Sequence, residues 1–65
     1  MVRVFVTVDG VVKWAEISPA THESLRDGAC LRNQSIGYYL RRVVKEYGSL
    51  TEENILKFIN EKWVL

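Results

Sequence analysis

The sequence predicts an α+β domain: an N-terminal β-hairpin, residues 2–8 and 11–17, followed by three helices at about 19–32, 35–47 and 52–63. Two observations carry that prediction. Valines alternate with other residues on either side of Asp9-Gly10, and beyond Ser18-Pro19 the apolar spacing changes from the period of a strand to that of a helix. A third bounds it, because 65 residues suffice for one domain, 1–65, and no more.

In the hairpin, Asp-Gly between β-branched runs suits a two-residue type I′ turn, whose central positions both need positive φ. Closing the turn there sets Val8 opposite Val11, Val6 opposite Lys13, Val4 opposite Ala15 and Val2 opposite Ile17. This valine-rich face is the expected core face. The other face carries Arg3 beside Glu16, Phe5 beside Trp14 and Thr7 beside Val12, an ion pair and an aromatic pair where a solvated face would ordinarily be polar.

The first helix opens at Ser18, an N-cap, with Pro19 at the first helical position, where a missing N–H costs nothing. Its length turns on Gly28, which either ends it after Asp27 or lies inside it; Asn33 is a second candidate stop and Ser35 the next cap. In the second helix Ile36, Tyr39, Leu40, Val43, Val44 and Tyr47 form one apolar face, with Tyr38, Arg41, Arg42, Lys45 and Glu46 on the other side and Gly48 as terminator. Thr51 caps the third helix, Glu52 and Glu53 suit its first turn, and Leu50 with Ile55 makes a hydrophobic staple. Ile55, Leu56, Phe58, Ile59 and Trp63 are expected to share a face, leading to an apolar end, Trp63-Val64-Leu65.

A chain this short buries only ~60% of the surface its unfolded form exposes, so an additional stabilising device is expected. Cys30 has no partner for a disulfide, and one cysteine with one histidine, His22, cannot supply the roughly four ligands of a structural zinc site. Association with a second copy remains, and 48% apolar residues provide surface for it. No cofactor is expected, no membrane span or signal peptide is evident, and the lone thiol suits a reducing, cytoplasmic location. Nine basic against eight acidic residues, a net charge of +1, lack the basic excess of a non-specific polyanion binder. No phosphate-binding glycine loop, metal-ligand spacing or nucleophile–base set occurs, so an enzyme is not expected. Asp27, Glu46, Glu52 and Glu53 read as capping and surface charges, and the Arg41, Arg42, Lys45 stripe as a solvated helix face.

A further pattern runs from Leu25: Ala29 falls four positions on, Asn33 eight and Ser35 ten, after which Leu40, Val43 and Val44 lead to Tyr47, with Ile17-Ser18 placed upstream. This pattern over residues 13–47, above all SIGYYLRRVVKEY from Ser35 to Tyr47, resembles the ribbon-helix-helix family, the Arc, MetJ and CopG class of small repressors. The resemblance implies a homodimer formed through Ile36, Tyr39, Leu40, Val43, Val44 and Tyr47, and a strand ribbon that enters the major groove of double-stranded DNA. Carried onto this chain, the implied DNA contacts are Arg3, Thr7, Lys13 and Trp14 on the hairpin and Arg32, Gln34 and Ser35 at the start of the second helix, where backbone N–H groups meet a phosphate. The chain departs from the family pattern at Gly28 and Arg32 in the first helix, at Glu16 on the reading face, and in its added first strand and third helix. The expected function is a small dimeric sequence-specific DNA-binding regulator. The alternative is a protein-interaction module, a small inhibitor or adaptor, using the Phe5/Trp14 face and the apolar C-terminus.

Overall fold

The computed structural model describes residues 1–63. Strand β1 (Val2–Val8) pairs antiparallel with β2 (Val11–Ile17), and helices α1 (Pro19–Leu31), α2 (Ile36–Tyr47) and α3 (Glu52–Lys62) follow. The register runs from Val2 opposite Ile17 to Val8 opposite Val11, as the Asp-Gly turn requires. Asp9 and Gly10 both take positive φ, 53° and 79°, the left-handed pair of a type I′ turn.

Each helix starts on the cap expected of it: the hydroxyls of Ser18, Ser35 and Thr51 accept from the N–H groups of Thr21, Tyr38 and Asn54. Gly28 lies inside α1, which ends at Leu31 with Arg32 as C-cap, before Asn33 turns left-handed at φ 56°. Trp63 is the C-cap of α3 rather than its last helical residue.

One core joins all five elements. The inner face of the hairpin gives Val4, Val6, Val8, Ala15 and Ile17; α2 gives Tyr39, Leu40, Val43 and Val44; Leu25, Ala29, Leu50, Ile55 and Phe58 complete it. Helix α2 lies against β1 and touches both other helices, while α3 reaches β2. Two expected core positions are not buried. Val11 has the inner-face parity but lies at the turn end of β2 and is 53% exposed, and Leu56 falls outside the stripe of α3 set by Ile55 and Phe58. Val64 and Leu65, part of the expected apolar end, lie outside the described residues.

Three contacts tie the helices together in ways their periodicity does not show. Trp63 lies over Gly28 so closely that a Cβ there would clash with its ring, and Tyr39, Phe58 and the Arg32 guanidinium, 4.6 Å from the ring centroid, close around it. Gly28 is thus a notch in α1, which explains a glycine in mid-helix. Glu52 is more than a surface charge, because its carboxylate accepts from Ser18 N–H at 2.9 Å and from the Thr21 hydroxyl at 2.8 Å. It thereby joins the first turn of α3 to the first turn of α1, where the end of β2 also lies. The Ser18 backbone bond, then the Thr21 hydroxyl, hold its pKa below the ordinary carboxylate value. A similar clasp joins α2 to α3, the Tyr47 hydroxyl donating to Glu61 at 2.6 Å, which pushes the Tyr47 pKa up to about 12.

Two outcomes follow from these contacts. Gly28→Ala should destabilise the fold by roughly 1–3 kcal/mol through overpacking against Trp63. In a Trp63→Ala background the same change should instead stabilise by about 0.5–1 kcal/mol, the ordinary helix preference for alanine. Urea unfolding of the four chains measures that change of sign. Because the folded pKa of Glu52 is lowered, its contribution to stability is present above the ordinary carboxylate value of 4.5 and is lost as pH falls through the lower folded value. Glu52→Gln should therefore lower the melting temperature at neutral pH and flatten its fall in acid, as followed by circular dichroism.

Candidate binding surface on the hairpin

Alternation along both strands divides the hairpin into two surfaces. Residues of one parity enter the core; those of the other, Arg3, Phe5, Thr7, Val12, Trp14 and Glu16, are all exposed. No helix covers this outer face, because all three pack on the opposite side of a sheet only two strands wide. Phe5 and Trp14 stand directly opposite each other there, 57% and 54% exposed, with Val12 61% exposed beside them. Arg3 closes one end of the pair: its guanidinium lies 5.1 Å from the Trp14 ring centroid and 3.4 Å from the Glu16 carboxylate. The face therefore has an apolar centre and a charged margin in which one cation and one carboxylate cancel.

The residues expected to contact DNA do not converge on one surface. Arg3, Thr7 and Trp14 share the outer face, whereas Lys13 has the opposite parity and is half-buried. Arg32 is engaged by the Gly28 carbonyl at 3.0 Å and by the Trp63 ring. The Ser35 hydroxyl occupies the Tyr38 N–H at the start of α2, and the Gln34 N–H donates to the Ala29 carbonyl. Of the residues expected at a dimer interface, Tyr39, Leu40, Val43 and Val44 line the chain's own core, with Ile36 and Tyr47 packed at its margin. Alternation alone marks Phe5 and Trp14 as outward partners; that no described residue covers them comes from the placement of the helices on the inner face.

The hairpin also has two edges, and they differ. A type I′ turn closes on a hydrogen-bonded pair, here Val8 with Val11, so the pairs Thr7/Val12, Phe5/Trp14 and Arg3/Glu16 are the alternate set whose backbone groups point away from the partner strand. The Thr7 carbonyl confirms this, accepting from Arg41 Nε at 3.4 Å on the outer edge of β1. On the outer edge of β2 the backbone groups of Val12, Trp14 and Glu16 have no hydrogen-bond partner among the described residues.

Among the described residues there is no cluster of His, Cys, Asp or Glu that could hold a metal ion, and no helix is long and apolar enough to cross a membrane. Compared with family models, with curated proteins and with solved structures, the chain matches none.

The exposure of the outer face predicts its energetics. Phe5→Thr and Trp14→Thr, which place a strand-favouring β-branched residue at each position, should each cost less than about 1 kcal/mol, the size of a cross-strand pair. Val43→Ala, deep in the core at 0% exposure, should cost distinctly more, roughly 2 kcal/mol or above. Equal losses in urea unfolding would show that the outer face is covered.

Proposed function

We propose that this chain is a non-catalytic protein-interaction module whose working surface is the outer face of the hairpin. The observation that carries the reading is the Phe5/Trp14 pair, each side chain more than half exposed on the face of the sheet that no helix covers. Aromatic side chains that remain in water on a rigid sheet cost the fold apolar surface it could have buried, and they are the residue type that anchors protein interfaces. The Arg3–Glu16 pair at the margin supplies a polar rim of balanced charge. Such a face suits a protein surface with its own apolar centre better than it suits phosphates, because charge-neutral contacts release few counterions.

Binding of duplex DNA by the same ribbon is the second reading. A two-stranded ribbon fits the major groove, and Arg3, Thr7 and Trp14 share its outer face. The net charge of +1 and the engagement of Arg32 and Ser35 elsewhere weigh against it.

Site-specific photo-crosslinking in the native host tests the proposal. A photoreactive residue at Phe5 should trap a defined protein, Trp14→Ser in the same chain should abolish trapping, and the probe at exposed Lys57 of α3 should trap nothing comparable. Retention on a random duplex library, weakened steeply by salt and lost in Arg3→Ala, would overturn this proposal in favour of the DNA reading.

A further inference from the structure

The outer edge of β2 is a second feature, running beside the aromatic face. Exposed edges with unpaired backbone groups are templates for strand addition, and folded proteins commonly protect them with charge, proline, bulges or a covering element. On β1 one outward backbone group is engaged, the Thr7 carbonyl, which accepts from Arg41. On β2 none is engaged among the described residues. The pairing with β1 runs through β2 in unbroken register, no proline interrupts it, and the strand holds three large exposed apolar side chains, Val11, Val12 and Trp14, where β1 holds one, Phe5.

We propose that β2 pairs antiparallel with β2 of a second copy of this chain, centred on Trp14, to give a continuous four-stranded sheet. The register follows from the strand itself. With Trp14 opposite Trp14, all of β2 overlaps, Val12 faces Glu16 of the second copy, and each outward pair exchanges both N–H···O bonds, which satisfies the open edge completely. Lys13 lies beside Ala15, and Val11 lies beside the second copy's Ile17, so the one inner-face valine that its own helices leave uncovered gains an apolar neighbour. Sliding two residues toward the turn would set Lys13 against Lys13, and sliding four the other way would set Glu16 against Glu16. Like charges directly opposed are unfavourable, and either shift shortens the overlap. Self-pairing also places Phe5, Trp14, Trp14 and Phe5 in one row across the outer faces. This assembly leaves each copy's helices around its own core, unlike a dimer whose core is made by α2 helices from two chains.

The test uses the synthetic full-length chain, with backbone N-methylation at Trp14 to remove one outward N–H while keeping every side chain. Sedimentation should show a dimer of the unmodified chain. N-methylation at Trp14 should weaken it by at least about tenfold through loss of the central hydrogen bonds, whereas N-methylation at Phe5, on the edge of β1, should leave it unchanged. Amide exchange of the unmodified chain gives a readout that does not depend on any variant folding: Val12, Trp14 and Glu16 should become protected as concentration rises, and Phe5 should not. A chain that stays monomeric, or a dimer lost through N-methylation at Phe5, would overturn the proposal. A dimer insensitive to both N-methylations but lost in Phe5→Thr would also overturn it, and would show that the aromatic face docks copies face to face. Dimerisation through β2 without any crosslinked partner at Phe5 would uphold this inference while removing the protein-interaction proposal.

Discussion

A two-stranded sheet can exclude water from one of its faces only if something lies along it, and in this chain that element is α2. Its apolar face, Tyr39, Leu40, Val43 and Val44, meets the inner valines of the hairpin on one side and the other two helices on its flanks. Removing α2 would take from β1 its main packing partner and from α1 and α3 the helix that both touch. The remaining structure depends on this one helix being apolar over a wide face. The same wide face accounts for why its residues are occupied within a single copy and are not displayed as a ready surface for a second.

The packing of the helices is then reinforced by a few directional contacts between them. Glu52 bridges the first turns of α1 and α3 through Ser18 and Thr21; Trp63 closes onto Gly28 at the other end of α1; Tyr47 and Glu61 clasp α2 to α3. A core of this size confers a small margin of stability, so directional contacts at the ends of elements matter more than they would in a larger domain. They also restrict how the helices could rearrange to cover the outer face of the hairpin. With α1, α2 and α3 held together on one side of the sheet, Phe5 and Trp14 have no cover within the described residues.

The local signals in the sequence were sufficient for the hairpin, its register, the three caps and the passage from strand to helix, because each depends on residues near one another in the chain. Asp9-Gly10 determines the turn, the turn determines the register, and the register sorts every hairpin side chain onto one of two faces. What was not legible is long-range. Gly28 reads as a weak point of a helix until Trp63 is seen occupying the space, and Glu52 reads as a helix-dipole charge until Ser18 and Thr21 are seen beneath it. Arg32 is of the same kind: sequence places it near a helix start suited to phosphate, whereas the fold directs it at the Trp63 ring. Pattern alone could not decide which apolar faces are satisfied within one copy, since the stripe on α2 suits an internal core and a dimer interface equally well.

The asymmetry of the hairpin edges bears on how such a small chain remains specific. Both edges start with the same set of outward backbone groups, and among the described residues Arg41 engages one of them on β1, the Thr7 carbonyl, and nothing engages those of β2. The exposed apolar side chains then gather on the strand with the open edge, β2, next to backbone groups that can pair in only one face-preserving parity. An edge of this kind does not bind indiscriminately. Lys13 and Glu16 disfavour the registers that would oppose like charges, and the tight turn at Asp9-Gly10 limits overlap at one end. Apolar surface supplies the attraction at β2, and two charged residues with a turn restrict the geometry in which that attraction can be satisfied.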